Sequence, residues 1–243
     1  MKNICVGLLF LMLLITACDK ATVEVESLSH DSFDILLAKY VDVNGDVNYA
    51  DFKNDEMVLS EYLDLLKENE PEDSWSDNKK MAYWINVYNA FTIYNILFEY
   101  PVSSIMDIES GAIWTTRKIK IGGIDYTLDQ IENDKLLRAF NEPRVHFAVN
   151  CAAASCPPLL NKAWTEDNIQ QYYASQTSSF INNMTYNTLM NSSIEVSEIF
   201  NWYAADFGGS TQIVSYVQQY STTSIDNAAT VMYKNYDWTL NEQ

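Results

Sequence analysis

The stretch NKKMAYWINVYNAFTIYNILF, residues 78–98, decides the fold. After Lys80 almost every position carries an apolar or aromatic side chain, so no polar face is left for solvent. We therefore predict a helix over residues 77–98 that is buried on all sides and forms the centre of the protein. Asn86 and Asn89 lie on one face of this helix. Because a buried amide without a partner costs ~1–3 kcal/mol, polar groups are expected to pack against that face.

The residues around this helix predict further helices and a few short strands. Apolar spacing of i, i+3, i+4 and i+7 predicts helices before it, and later helices are indicated up to the glycine pair at 208–209 and beyond. Thr127 and Gln130 have the spacing of a capping box. The glycines at 122–123 indicate a hairpin. The predicted helices cover residues 33–40, 57–66, 128–137, 166–181, 198–207, 212–220 and 227–233, and the predicted strands cover 114–121, 124–127 and 144–150.

Helices dominate this pattern, and strands and helices do not alternate as they do in a parallel sheet. The sequence therefore predicts an α+β fold, a mainly helical single domain with a buried central helix and a small antiparallel sheet. Proline and glycine are scarce, at 5 and 7 residues, so no linker rich in them divides the chain. We expect one globular domain over residues 30–243.

The segment RVHFAVNCAAASCPPLL, residues 144–160, carries the candidate chemistry. Apolar and more polar side chains alternate from Val145 to Asn150, which predicts a strand. A loop of small residues follows and contains Cys151 and Cys156, the only cysteines after residue 18. Functional side chains are often held in loops at the ends of rigid elements. This segment is therefore the predicted site.

One interpretation makes Cys151 a catalytic nucleophile with His146 as its base and Glu132 or Asn86 orienting that base. Five residues of extended chain span ~16 Å and point the two side chains to opposite faces. The chain must therefore curl back after Asn150 for a dyad to form. We predict that Asn86, Glu132, His146 and Cys151 converge on one polar pocket, and that the protein is a cysteine-dependent hydrolase or an acyl or peptidyl transferase.

The other interpretation is structural: Cys151 and Cys156 form a disulfide, which an exported compartment permits. The protein is then a non-catalytic module that binds a glycan, a peptide, a small molecule or a partner protein through its 6 tryptophans and 16 tyrosines. The CxxxxC spacing is unlike that of zinc sites and no fourth ligand is evident. We predict no metal and no other cofactor.

The first residues predict export. Lys2 precedes an apolar run over residues 6–15, which is too short to span a bilayer and is typical of a secretory signal. The sequence ITAC at residues 15–18 resembles a bacterial lipobox. It predicts a signal peptide over residues 1–17, lipid attachment at Cys18 and a tether over 18–29. We expect a cell-envelope protein that contacts the membrane through its lipid anchor only.

The net charge of −18 argues against one class of partner. Nucleic-acid binding requires a basic surface that neutralises phosphates. We therefore expect no nucleic-acid partner, while an acidic surface leaves small-molecule, peptide and glycan ligands open.

Four stretches together resemble the domain of unknown function 547 family: MAYWINVYNA at 81–90, LDQIEN at 128–133, PRVHFAVNC at 143–151 with SCP at 155–157, and YDWTLN at 236–241. The resemblance covers residues 31–243. It implies one domain, found in exported bacterial proteins and in plant proteins joined to a coiled coil, and it brings no established activity.

Plant-type members often have serine at the position of Cys156 and keep the cysteine of Cys151. The resemblance therefore implies that Cys151 is functional and Cys156 dispensable. Many members have histidine at the position of Asn133, so a mechanism that needs that histidine does not carry over.

Overall fold

The computed structural model describes residues 28–243, and the predicted signal peptide, Cys18 and most of the tether lie outside these residues. The α-helices are α1 (Asp31–Tyr40), α2 (Tyr49–Phe52), α3 (Glu56–Glu68), α4 (Asp77–Glu99), α5 (Ile113–Thr116), α6 (Leu128–Gln130), α7 (Arg138–Phe140), α8 (Ile169–Asn182), α9 (Ile199–Trp202) and α10 (Ile213–Tyr220). Segments of 3-10 helix lie at Lys53–Asp55, Ile105–Gly111, Pro143–Phe147 and Ser210–Gln212, and a π-helix at Ile131–Leu137. The strands are β1 (Ile119–Ile121), β2 (Ile124–Tyr126), β3 (Thr188–Leu189), β4 (Ser193–Ser197) and β5 (Thr230–Lys234).

The fold is α+β, as predicted, and α4 is its buried centre. The hydroxyl of Ser76 caps the N-terminus of α4 by accepting a hydrogen bond from the Lys79 N–H. Every side chain over residues 81–93 is buried. Helices α1, α3 and α8 contribute apolar side chains to the core around α4. This large core fixes the position of α4, and with it the position of the amides that α4 carries.

A second, smaller core lies beside the first. It contains the end of α8, strand β4, and helices α9 and α10. Phe147 belongs to this second core, whereas its neighbours Val145 and Ala148 belong to the core around α4. The chain near residue 147 therefore passes between the two cores.

The two sheets differ from the prediction of one small antiparallel sheet. Strands β1 and β2 form an antiparallel hairpin over the predicted glycine turn. Strand β4 pairs antiparallel with β3 and parallel with β5. The prediction of a helix over residues 227–233 was therefore wrong. Val231 and Tyr233 favour a strand, and the partner strand is remote in sequence, so no local pattern reveals the pairing.

Two predicted strands were wrong in whole or in part. Residues 143–147 form a 3-10 helix that Pro143 starts and that the Glu142 side chain caps. Val145, His146 and Phe147 are all buried there, because two cores enclose the segment, so the alternation does not mark one buried and one exposed face. Trp114 lies in α5, and the strand begins only at Ile119.

The capping box of Thr127 and Gln130 is present, with both reciprocal hydrogen bonds. The helix that it starts continues through the π-helix at Ile131–Leu137 into α7. Short π-helical segments often accompany functional sites. No helix within residues 28–243 combines the length and the apolar character needed to cross a membrane.

We predict that replacement of Trp84 by alanine lowers the free energy of unfolding by ~3–5 kcal/mol, because its indole lies in the core and is only 6% exposed. Phe98 on the same helix is 60% exposed, so Phe98→Ala is a matched control that should cost about 1 kcal/mol or less. Denaturant unfolding followed by circular dichroism measures both values. Equal losses in the two variants, or two separated unfolding transitions of the wild type, would contradict a single domain built on α4.

Candidate functional site

Asn89 on α4 holds the chain that leads to Cys151. Its side-chain N–H donates to the carbonyl of Ala148 at 3.0 Å, and its carbonyl oxygen accepts from the backbone N–H of Asn150 at 2.8 Å. The Asn89 side chain thus forms hydrogen bonds with the backbone on both sides of Val149, as a neighbouring strand would, through its nitrogen and its oxygen. The expectation that polar groups pack against α4 is confirmed at this residue.

Asn150 shapes the loop that follows. Its side-chain oxygen accepts from the N–H of Ala152 at 2.9 Å, and its side-chain nitrogen donates to the carbonyl of Pro157 at 2.9 Å. Ala152 has a φ of 63°, in the left-handed region that residues other than glycine rarely adopt. The chain therefore turns sharply just after Cys151, which is the curl that the sequence required for a compact site.

The C-terminal segment fixes the other side of this loop. The N–H of Ala154 donates to the carbonyl of Thr239 at 2.7 Å, and the N–H of Asn241 donates to the carbonyl of Ala152 at 3.2 Å. These bonds position Tyr236, whose hydroxyl lies 3.3 Å from the Sγ atom of Cys151. Tyr236 belongs to the quoted stretch at residues 236–241, but its contact with Cys151 was not predicted from the sequence.

Both cysteines are free thiols in the structure. Cys156 is buried and Cys151 is half-buried, and the backbone N–H of Cys151 donates to the Sγ atom of Cys156 at 2.8 Å. A side-chain hydrogen bond with Cys156 lowers the pKa of the Cys151 thiol more than burial raises it. The hydroxyl of Tyr236 and the N–H of Ala153 lower this pKa further, whereas the charge of Glu132 opposes them.

The same contacts act on Cys156 in the opposite direction. Burial raises the pKa of the Cys156 thiol well above its usual value, and the neighbouring Cys151 raises it again. These shifts favour the protonated thiol at Cys156 and ionisation of the thiol at Cys151. Of the two cysteines, Cys151 is therefore the candidate nucleophile.

His146 is buried between two carboxylates. Its Nε2 atom lies 2.8 Å from Oδ2 of Asp206, and its Nδ1 atom lies 3.7 Å from Oε1 of Glu132. Burial disfavours the charged ring, but the hydrogen bonds to Asp206 and Glu132 outweigh it and raise the pKa of His146. The ring also packs on Tyr203, with 4.2 Å between the ring centroids. The two carboxylates thus favour the protonated form of the imidazole.

Glu132 reaches His146 from the π-helix at Ile131–Leu137, where it is buried. This is the place that the sequence assigned to an orienting carboxylate. Asp206 was missed, because it follows α9 in a series of turns and lies 60 residues from His146 in the chain. The one sequence signal for Asp206 is an acidic residue that lies between apolar ones, just before the glycine pair at 208–209.

Asn86 does not join this group. Its amide pairs with the backbone of Trp164, donating to the carbonyl at 2.7 Å and accepting from the N–H at 3.0 Å. It anchors the chain before α8 and does not line the cavity described below. Asn133, where many family members have histidine, donates to Asp129 instead.

A cavity of about 130 Å³ opens between the two cores. Glu132, His146, Cys151 and Tyr236 all line it. Three tryptophans form its rim: Trp114, Trp202 and Trp238, of which Trp202 is 48% exposed. Trp202 stacks on Trp238 with 5.8 Å between ring centroids. The cavity lining thus combines titratable side chains with several aromatic rings.

The predicted convergence is therefore met by Glu132, His146 and Cys151 but not by Asn86. Within the described part of the chain, the His146 ring forms a hydrogen bond with Asp206 and an ion pair with Glu132, and no hydrogen bond joins it to Cys151. The His146 ring and the Cys151 thiol thus line the same cavity without a hydrogen bond between them. Among residues 28–243, no group of histidine, cysteine and acidic side chains is arranged to hold a metal ion.

Comparison with known proteins supports the family resemblance. The model of the family described as protein of unknown function, DUF547, matches residues 72–181. The chain resembles the DUF547 family. The match includes α4, Glu132, His146 and both cysteines of the candidate site, while Asp206, Tyr236 and the stretch at 236–241 lie outside it. No curated protein and no solved structure matches the chain.

We predict that the alkylation rate of Cys151 reaches half its maximum at a lower pH than that of free cysteine, because neutral donors stabilise the thiolate. A lowered pKa means that the thiolate is present above that pH and is lost as the pH falls through it. Tyr236→Phe and Cys156→Ala each remove a donor, so each should move the midpoint to higher pH. Iodoacetamide kinetics, followed by mass spectrometry of the Cys151 peptide, measure the midpoint.

Cys156→Ser is the matched control, since its hydroxyl still donates and serine is the replacement that the family resemblance suggests. Its midpoint should stay close to that of the wild type. If serine and alanine at position 156 shift the midpoint equally, the donor role of Cys156 is refuted.

Proposed function

We propose that the protein is a cysteine-dependent hydrolase or an acyl or peptidyl transferase with Cys151 as its nucleophile. The observation that carries the proposal is the lowered pKa of the Cys151 thiol at the floor of an open cavity. Perturbed titratable groups in clefts are typical of active sites. The raised pKa of His146 in the same cavity supplies the complementary acid.

In the proposed reaction, the Cys151 thiolate attacks the carbonyl carbon of an ester, thioester or amide and a C–S bond forms. The leaving oxygen, sulfur or nitrogen takes the electron pair of the broken bond and a proton from His146. Water or an acceptor amine then attacks the thioester, gives a proton to His146 and releases the acyl product. Cys151 leaves as the thiolate and the site returns to its first state.

The carboxylates have positioning roles in this proposal. Glu132 and Asp206 hold the imidazole in place and favour its protonated form. The Asn86 side chain forms hydrogen bonds with the backbone of Trp164, so its role is to stabilise the fold near the site. Asn89 and Asn150 position the loop that presents the sulfur.

We expect Cys151→Ser to abolish the acylation of the protein by p-nitrophenyl acetate, and to slow p-nitrophenol release by about a thousandfold or more, because the hydroxyl is a far weaker nucleophile than a thiolate. Cys156→Ser should retain both. Peptide mass spectrometry locates the acetyl group, and absorbance follows the released phenolate. Acetylation at another residue, with unchanged turnover in Cys151→Ser, would refute the catalytic role.

A second candidate function is a non-catalytic module that binds a glycan, a peptide or a partner protein. The exposed tryptophan rim favours it, since aromatic rings offer apolar area to sugars and peptides. A Cys151–Cys156 disulfide would suit this role by removing the nucleophile. Intact mass before and after reduction of the purified protein separates the two functions, because only a bridged pair gains hydrogens on reduction.

We also propose that the protein is a lipoprotein of the bacterial cell envelope, anchored through Cys18. Replacement of Cys18 by serine should abolish incorporation of radiolabelled palmitate and release the protein from the membrane fraction, because a single hydroxyl at this position accepts no lipid. Cys5→Ser, in the predicted signal peptide, is the matched control and should leave labelling intact. Membrane partition that is unchanged in Cys18→Ser would contradict the anchor.

A further inference from the structure

The ionisable groups that line the cavity are predominantly acidic. Asp129 and Glu132 both line it, and Asp206 lies behind His146 at 2.8 Å from the ring. Within residues 28–243 the lining contains neither lysine nor arginine, so the protonated form of His146 is the one positive charge in the lining that opposes them. The charges of these carboxylates therefore exceed the charge of the imidazolium, and a thiolate at Cys151 adds to the excess.

The negative charge of these carboxylates acts on the pKa of side chains that line the cavity. The charge of Glu132 is the largest cause that raises the pKa of Tyr203, followed by burial, and Asp129 also contributes. Glu132 opposes ionisation of Cys151 as well. Tyr203 and Cys151 thus both respond to the charge of Glu132, which lines the cavity with them.

The rim offers the second feature that a cation requires. Tyr236 and Trp238 lie with their ring centroids 4.6 Å apart, and Trp202 packs against both. The faces of such rings attract ammonium groups, with tryptophan the most effective. Carboxylates and aromatic faces are the two groups that commonly bind an organic cation, and here they surround one nucleophile.

We propose that the cavity selects acyl donors that carry a positive charge close to the reacting carbonyl, such as aminoacyl groups with a free ammonium. The proposal rests on the proposed function, because Cys151 is taken as the group that receives the acyl chain. The ammonium lies between the tryptophan rim and Asp129, and the carbonyl reaches the sulfur. Anionic donors are repelled by the carboxylates, and neutral donors lack the attraction.

Charged thiol reagents test this directly. Ethyltrimethylammonium methanethiosulfonate is cationic and ethylsulfonate methanethiosulfonate is anionic. In each reaction the Cys151 thiolate attacks the sulfur of the reagent, an S–S bond forms, and methanesulfinate leaves with the electrons of the broken S–S bond. The rate of each reaction is divided by its rate with mercaptoethanol, and peptide mass spectrometry restricts the measurement to Cys151.

We expect the cationic reagent to react at least about 30-fold faster than the anionic one at low ionic strength, and the ratio to fall with added salt as the charges are screened. Asp129→Asn keeps the acceptor for Asn133 and removes one charge, so the ratio should fall by about threefold or more. Asp167→Asn is the matched control. Asp167 is exposed and does not line the cavity, so this variant should keep the wild-type ratio.

The substrate class is overturned if the ratio of the cationic to the anionic rate at Cys151 lies within about twofold of the same ratio for mercaptoethanol. It is also overturned if Asp129→Asn and Asp167→Asn change this ratio equally. In either case Cys151 can still hydrolyse p-nitrophenyl acetate, and the proposed function then stands without the charge preference. If Cys151→Ser keeps that hydrolysis, the proposed function fails, and the substrate class fails with it whatever the reagent ratio.

Discussion

The pairing of the Asn89 side chain with the backbone around Val149 is the constraint on which the site depends. An amide on a helix that is buried on all sides has no access to water, so it must find partners within the protein. Asn89 finds an acceptor in Ala148 and a donor in Asn150, and each bond is short. Since an orphaned buried group costs ~1–3 kcal/mol, the loop is held close to α4 by the same energy that keeps the helix buried. The position of Cys151 therefore follows from the stability of the core.

The site lies where the two cores meet, and this explains its composition. Glu132 and Cys151 belong to the part of the chain built around α4, whereas Asp206 follows α9 in the second core. His146 lies between them because Val145 and Phe147 on either side of it are buried in different cores. The ring thus receives one carboxylate from each side. Any change that separates the two cores would separate the His146 ring from the carboxylate of Asp206.

The sequence predicted the parts of the fold that depend on local patterns. The continuous apolar run gives α4 to within a residue of its observed end, and Thr127 with Gln130 gives the start of the helix that carries Glu132. The segment at 143–147 could not be assigned locally, because the two cores bury Val145, His146 and Phe147 alike, so the alternation in sequence does not mark the two faces of a strand. Asp206 and Tyr236 reach the site through contacts that span 60 and 85 residues, and no spacing rule encodes such contacts.

The structure separates the two tasks that a catalytic dyad would combine. In a dyad, the imidazolium stabilises the thiolate by its charge, and the two groups titrate together. Here the carboxylates of Glu132 and Asp206 engage the ring, while Cys156, Tyr236 and the N–H of Ala153 stabilise the sulfur as neutral donors. A neutral donor adds no positive charge, so the cavity stays acidic overall even with the thiolate formed. The hydrogen-bond donors around Cys151 thus add no positive charge to a cavity whose lining includes carboxylates, and the proposed preference for positively charged acyl groups rests on this arrangement.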